Sequence, residues 1–190
     1  LDNELNLIGE YNKINLVPFG EFLPFEKFFK RIGLRKVSYG YESFSAGNDR
    51  NLITLNDLNF NFIPLICYEI IYSGKINLKL DETNFIINIS EDGWFGNSIG
   101  PHQHFSHSIF RAIEEGKNII RASNNGISAY IDSNGKIINK LESTHSGVIE
   151  INNYKELDKT LFSKLGNKIF FYFVLFYYIS LFFLNYKRKK

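Results

Sequence analysis

The chain has 190 residues, of which 44% are hydrophobic and 16% aromatic, and its formal net charge at pH 7 is +2. This length and apolar content predict one domain with a sizeable buried core. Lys and Arg are scattered until the last four residues, which excludes the basic surface of a typical nucleic-acid-binding protein. The single cysteine excludes an intrachain disulfide.

The first half of the chain predicts short elements separated by turns. They are, in chain order, a strand at 14–17, a helix at 22–31, a loop at 32–50 and strands at 53–55 and 60–66. The pair Asn56-Asp57 between the last two strands favours a hairpin. The second strand of that hairpin is apolar almost throughout, which is typical of a strand buried on both faces.

The second half predicts strands around one helix. The elements are a strand at 85–90, a helix at 101–115 and strands at 118–123, 127–132, 136–141 and 147–151. Pro101 suits the first turn of the helix and Gly116 its end. One apolar face has helical spacing and consists of Phe105, Ile109, Ala112 and Ile113. Mixed strands and helices, with polar turns after strands, predict an α/β layered enzyme.

Residues 169–184 are apolar or aromatic at every position except Ser180. As a helix this stretch is about 24 Å long, and its flanks extend it towards the hydrocarbon core of about 30 Å. We therefore expect a linker at 156–166, a transmembrane helix at 167–186 and a basic tail at 187–190. The positive-inside rule predicts a cytoplasmic tail in a bacterial inner membrane, with the body of the protein in the periplasm.

Cys67 directly follows an apolar strand and precedes Tyr68 and Glu69, so the strand delivers a thiol to a polar turn. A thiol nucleophile needs a base and donors for the oxyanion that forms on the attacked carbonyl. Lys13 and the backbone N–H of Tyr68 are candidate donors, and Glu21 and Glu69 are candidates to orient Lys13. Simple burial stays open for the cysteine, and a solvated surface position for the lysine.

The histidines allow two weaker interpretations. His102, His104 and His107 are spaced like a metal patch, but the predicted helix puts only the last two on one face and no acidic ligand accompanies them. Ordinary polar helix positions are the favoured interpretation, and no metal is predicted. A Cys–His pair of the cysteine-protease kind would need Cys67 at a helix start, with His145 as its partner.

Four blocks of sequence resemble, in the right order, the apolipoprotein N-acyltransferase family, the membrane branch of the nitrilase (carbon-nitrogen hydrolase) superfamily. The blocks lie at 11–21, at 64–69, at 88–96 continued by 100–104, and at 121–128. The resemblance implies an α/β fold of the nitrilase-like αββα sandwich type, followed by a C-terminal transmembrane helix.

The resemblance also implies a Glu-Lys-Cys active site in which Cys67 is the nucleophile, Lys13 the triad lysine and Glu21 a supporting glutamate. The implied residues that line the site are Tyr68, Glu69 and Trp94. In the implied reaction Cys67 takes an acyl chain from a phospholipid, typically phosphatidylethanolamine, as a thioester. The α-amine of the diacylglyceryl-cysteine of an apolipoprotein then attacks, and neither a metal nor a cofactor is required.

The chain departs from the family pattern at its start. In the family a multi-helix membrane part and the first strands of the sandwich, which carry the general-base glutamate, precede the lysine motif. Glu4 and Glu10 lie too close to Lys13 to be that base. We therefore expect 1–155 to be an incomplete domain, the C-terminal part of the enzyme, which is inactive alone and works with an upstream half.

Two alternatives stay open. The chain is then either a decayed or split-gene remnant that acts only as a membrane-anchored module, or an amidase of the same superfamily. The apolar stretch 169–184 and the block Trp94-Phe95-Gly96 argue against the amidase.

Overall fold

The computed structural model describes residues 4, 6–33, 35–36, 43–56, 59–76, 82–155 and 157–188. Its helices and strands are, in chain order, α1 (Glu26–Arg31), β1 (Ile53–Leu55), β2 (Phe60–Ile66), β3 (Phe85–Glu91), α2 (Gly100–Glu115), β4 (Asn118–Asn124), β5 (Ser128–Ile131), β6 (Ile137–Leu141), α3 (Leu161–Leu165) and α4 (Lys168–Arg188). Two 3₁₀ turns, Cys67–Ile71 and Gly93–Phe95, come directly after β2 and shortly after β3.

The six strands form one mixed sheet in the order β1-β2-β3-β4-β5-β6. Strands β2, β3 and β4 are parallel, and the outer strands pair antiparallel with their neighbours. A parallel neighbour requires a crossover, and α2 supplies the one between β3 and β4. The carboxyl ends of the three parallel strands therefore meet at one edge of the sheet, which is where ligands bind in α/β folds.

One face of the sheet carries the core. Ile63, Ile86 and Ile119 come into register on adjacent strands and pack with Phe105 and Ala112 of α2. Burial of each isoleucine or phenylalanine side chain contributes about 1.5–3 kcal/mol. This face includes polar residues nearer the carboxyl edge, and they turn out to belong to the candidate site.

The opposite face of the parallel strands is apolar but incompletely covered. Pro64 and Ile87 are half-buried and in register, and one step nearer the carboxyl edge Ile89 is 52% exposed beside Ala122. The described residues thus form one sheet with a closed face and an open face. The prediction of an α/β architecture is confirmed.

Most predicted elements are confirmed to within one residue at each end, including the hairpin partners, the helix α2 and the strands β3 to β6. Gly116 ends α2 in the left-handed conformation, with φ +65°, and donates its N–H to Ala112. Asp57 of the predicted hairpin turn lies outside the described residues. The prediction that β2 is buried on both faces is wrong, since only Ile63 and Leu65, on one face, are fully buried.

Three further predictions are wrong. Residues 14–17 are not a strand, because their backbone N–H groups bond to two glutamate side chains in place of a neighbouring strand. The helix at 22–31 begins only at Glu26, because Phe25 takes a left-handed conformation with φ +49°. Residues 147–151 join no strand of the described sheet, and Val148 is 85% exposed.

The buried face of α2 also differs from the predicted apolar stripe. Ile113 is 48% exposed, while the polar His104, Ser108 and Glu115 are buried. The predicted stripe counted only apolar residues, whereas this helix turns polar groups towards the sheet. The helix therefore contributes buried polar side chains as well as apolar ones.

The C-terminal helix α4 has 21 residues, and its large apolar side chains face outward. At 1.5 Å per residue it is about 32 Å long, which matches a hydrocarbon core of about 30 Å. It is the one helix in the described part of the chain that is long and apolar enough to cross a membrane. The short helix α3 lies inside the predicted linker and contacts both α2 and α4.

Glu115 lies at the end of α2, and neither oxygen of its carboxylate has a hydrogen-bond partner among the described residues. Burial raises the pKa of Glu115 to about 7, helped by the charge of Glu114 and opposed by Arg111 and Arg50.

Replacing Glu115 by Gln should therefore remove a pH dependence of stability. The unfolded carboxyl group titrates near 4.5, whereas the folded protein keeps the proton up to about pH 7. Between these values the folded state binds more protons, so the free energy of unfolding falls as pH rises, by at most about 1.4 kcal/mol per unit. Urea unfolding at about pH 5 and about pH 8 measures the fall. An undiminished fall in the Gln variant contradicts this origin.

Candidate active site

Cys67 begins the 3₁₀ turn after β2 and has a positive φ of 51°. A residue with a side chain costs about 1–3 kcal/mol in such a conformation, so the surroundings must hold it there. Its Sγ lies 3.9 Å from the carbonyl oxygen of Glu91 at the end of β3. The sharp turn presents the thiol at the carboxyl edge of the parallel strands, a placement that also occurs where a strand-to-helix turn exposes a nucleophile.

A pocket of about 180 Å³ opens beside Cys67. Its lining residues are Val17, Gly20, Glu21, Cys67, Tyr68, Glu91, Trp94, Phe95 and His104. The wall is mostly aliphatic and aromatic, with a few polar groups near the thiol, as in pockets that bind apolar ligands. Tyr68 and Trp94 both line this pocket, and Trp94 is 63% exposed at the protein surface.

Lys13 is held by Glu21. The Lys13 Nζ donates to Glu21 Oε1 at 2.7 Å, and the other oxygen accepts the backbone N–H of Val17 at 2.9 Å. The two side chains are only 10% and 21% exposed, and Glu21 belongs to the pocket wall. A charge-assisted pair of this kind fixes the ammonium group beside the pocket.

Glu69 is fully buried and does not line the pocket. Its carboxylate accepts hydrogen bonds of 2.8–3.3 Å from Tyr11 Oη, the backbone N–H groups of Ile14, Asn15 and Ile66, and Arg50 Nη2. Burial, together with the hydrogen bond to Glu69, raises the pKa of Tyr11 to about 12. Glu69 therefore fastens the segment around Lys13 to the turn that begins at Cys67, and it lies behind the pocket wall.

Glu91 is the second carboxylate of the pocket wall. Hydrogen bonds from the N–H of Gly93 and from the side chains of Asn124 and Asn125 lower the pKa of Glu91. A carboxylate with a lowered pKa is a poor proton acceptor, so this group is a weak candidate for the base that activates the thiol.

A buried polar network lies behind Cys67. Asp92 accepts from Arg121 Nη2 at 2.7 Å and lies 2.8 Å from His104 Nδ1, while His104 Nε2 lies 3.3 Å from the carbonyl oxygen of Cys67. Burial alone would raise the pKa of Asp92, but the hydrogen bond with His104 and the charge of Arg121 outweigh it and hold that pKa well below its usual range. Arg121 also bonds to Asn88.

The sequence interpretation missed this network. It treated His104 as an ordinary polar helix position, but the side chain is 4% exposed. A usable signal was present, since Asn88 and Arg121 interrupt two otherwise apolar strands. Polar residues at such positions must find partners inside the protein.

The other histidine interpretations find no support among the described residues. His102 is exposed, and no group of three or more His, Cys, Asp or Glu side chains in the described ranges could hold a metal ion. His145 lies at the surface, where its Nδ1 is 3.1 Å from Thr144 Oγ1, and it does not line the pocket of Cys67.

Comparison with known proteins agrees with the geometry. The family described as carbon-nitrogen hydrolase matches residues 1–152. The apolipoprotein N-acyltransferase of Rhizobium rhizogenes is 38% identical over 150 residues, which cover 79% of this chain and 28% of that protein. The apolipoprotein N-acyltransferase of Wigglesworthia glossinidia brevipalpis is 39% identical over 193 residues, which cover 98% of this chain and 37% of that protein. The chain therefore spans well under half the length of these relatives.

Among solved structures, the carbon-nitrogen hydrolase of Helicobacter pylori G27 is similar over 73% of this chain and 49% of that one, with a TM-score of 0.50 and 14% identity. At this identity the likeness shows the fold alone.

The assigned role of Glu69 is tested by replacing it with Gln, which keeps the shape but removes the charge facing Arg50. We expect the free energy of unfolding to fall by about 3–5 kcal/mol, the cost of breaking a buried ion pair. Amide hydrogen exchange at Ile14 and Asn15 should become faster, because their acceptor is weakened. Exchange at these two amides that equals the wild-type rate contradicts the role.

The matched control is Glu26→Gln, which breaks the exposed i,i+4 ion pair of Glu26 with Lys30. Such pairs contribute about 0–1 kcal/mol, so stability and amide exchange in the 11–15 segment should stay close to wild type.

Proposed function

This chain belongs to the carbon-nitrogen hydrolase family, and we propose that it is the catalytic part of a lipoprotein N-acyltransferase. The observation that carries the proposal is a mostly apolar pocket built directly against a cysteine at a strained strand end. The similarity to two apolipoprotein N-acyltransferases supports the same activity.

In the first step the thiolate of Cys67 attacks the carbonyl carbon of a phospholipid ester. A carbon–sulfur bond forms, the carbon–oxygen bond breaks, and the acyl chain stays on sulfur as a thioester. The lysophospholipid leaves as an alcohol, with the proton that the base took from the thiol. In the second step the α-amine of the diacylglyceryl-cysteine of an apolipoprotein attacks, the carbon–sulfur bond breaks and the thiol is regenerated. The aromatic wall of Trp94, Phe95 and Tyr68 suits the first carbons of the acyl chain.

Both steps pass through a tetrahedral intermediate with a negatively charged oxygen. Lys13 is the proposed cationic donor to this oxygen, held in position by Glu21, and the N–H of Tyr68 is the second donor. An ammonium group that is already fixed by an ion pair stabilises the developing charge without reorganising when the reaction occurs.

The base that activates the thiol is proposed to come from an upstream half of the enzyme. Both pocket carboxylates are poor candidates: Glu21 binds Lys13 and Val17, and the pKa of Glu91 is lowered. The open apolar face of the sheet around Ile89 supports the same partner, because a second layer of structure there would bury it.

Helix α4 is proposed to anchor the domain in a bacterial inner membrane, with the pocket on the periplasmic side. Its length and its outward apolar side chains support a membrane crossing. Lys187 and Arg188 in its last turn support a cytoplasmic end. A phospholipid donor and a lipid-anchored acceptor are both reached from such a position.

A chimera tests the activity. In it, this chain replaces the matching segment of the Wigglesworthia protein, which supplies the upstream part. After incubation with phosphatidylethanolamine vesicles, mass spectrometry should find an acyl adduct on Cys67 in the chimera and none in the isolated chain. Replacing Lys13 by Ala should slow adduct formation about 10²–10³-fold, the cost of losing an oxyanion donor.

Cys67→Ala in the chimera is the control and should give no adduct. A chimera that forms no adduct contradicts lipid acyl transfer. Release of ammonia from short amides, with no lipid adduct, supports the amidase, and an inert chimera supports the membrane-anchored module.

The membrane orientation is tested with single cysteines in a Cys67→Ala background. Ser143→Cys lies on the exposed surface of the body, and Arg188→Cys lies at the end of α4. A membrane-impermeant maleimide applied to intact spheroplasts should label the first and spare the second. The reverse pattern contradicts the proposed orientation.

A further inference from the structure

The carbonyl oxygen of Cys67 points into the protein, towards side-chain nitrogens of two residues. His104 Nε2 lies 3.3 Å away and Asn88 Nδ2 lies 3.5 Å away. Asn88 also donates to the carbonyl of Leu65 at 3.0 Å, so it is anchored to the strand that carries the nucleophile. A peptide oxygen of the nucleophile is therefore held from behind by side chains of β3 and α2.

This carbonyl belongs to the peptide unit that also contains the N–H of Tyr68. The unit is planar and trans, so its N–H points opposite to its C=O. Holding the oxygen towards His104 turns the N–H away from that ring. The first N–H groups of a helical turn have no acceptor within the turn, which leaves the Tyr68 N–H available to a ligand.

The imidazole is itself fixed. Asp92 Oδ1 lies 2.8 Å from His104 Nδ1, and its other oxygen accepts from Arg121, whose side chain is fully buried. The two ring nitrogens thus face acceptor oxygens of Asp92 and Cys67, and the ring has one orientation in which it bridges them. Phe95 packs against the imidazole, with 5.6 Å between the ring centroids.

We propose that His104 is a positioning residue: through the Cys67 carbonyl it sets the direction of the Tyr68 N–H that receives the oxyanion. The inference rests on the proposed thioester chemistry, and it assigns a catalytic consequence to a network that would otherwise only stabilise the fold. Because the effect is on the oxyanion, it should appear in the rate of acylation and leave substrate affinity almost unchanged.

The test uses two amide side chains that replace different halves of the imidazole. In His104→Gln the amide NH₂ can take the place of Nε2 and reach the Cys67 carbonyl. In His104→Asn the shorter amide reaches only as far as Nδ1, towards Asp92. We expect His104→Asn to lower the acylation rate of the chimera about 10²-fold, with an unchanged half-saturating phospholipid concentration. The His104→Gln variant should keep most of the wild-type acylation rate.

Alkylation by iodoacetamide supplies a readout that fold damage alone would move. It occurs at a saturated carbon and forms no oxyanion, and Cys67 is the only thiol in the chain. The Asn variant should therefore lose much more acylation than alkylation. Equal losses in both reactions, or equal acylation rates in the Asn and Gln variants, would overturn the positioning role. His102→Gln, an exposed change on the same helix, is the matched control.

A third measurement separates this inference from the lipid substrate. 4-Nitrophenyl acetate acylates a thiol through the same kind of oxyanion without any lipid. If the wild type accepts this ester but not phospholipid, the proposed function fails while the Asn and Gln comparison still decides the role of His104. If the Asn variant reacts with this ester as fast as the wild type, the inference fails even where lipid transfer succeeds.

Discussion

The site depends on the buried carboxylate of Glu69. Lys13 lies in a segment without regular structure, and such a segment loses much conformational entropy when it is fixed. Glu69 supplies the compensation, because it follows Cys67 by two residues and accepts hydrogen bonds from the 11–15 segment. Arg50 balances its charge inside the protein. One side chain thus fixes the segment around Lys13 against the turn that begins at Cys67.

Sequence patterns predicted the sheet and α2 well, because buried strands are apolar and Gly116 gives a clear helix end. They failed where a side chain replaces a strand as the partner of the backbone. The segment around Ile14 looks like a strand, but its N–H groups bond to Glu69, which is distant in sequence. Phe25 takes a left-handed conformation that no local sequence pattern predicts. Such features depend on tertiary contacts.

The same distinction applies to the site. Cys67, Lys13 and Glu21 could be named as candidates from the sequence, because their chemistry stands out and their motifs resemble a family. Asn88 and Arg121 could not be joined to His104, because they meet only through the register of β3 with β4 and the docking of α2. The register of two paired strands depends on which of their faces the whole fold buries. A network assembled across three elements is therefore visible only in the fold.

The start of α4 is held close to the C-terminal end of the 3₁₀ turn Cys67–Ile71. Asn167, just before the helix, donates to the carbonyl oxygen of Ser73, and Ser73 bonds to Glu114 of α2. Arg111 of the same helix holds the carbonyl of Ile71, the last residue of the turn. The start of the helix that we propose crosses the membrane is thus tied by hydrogen bonds, through Ser73 and α2, to the turn that begins at Cys67.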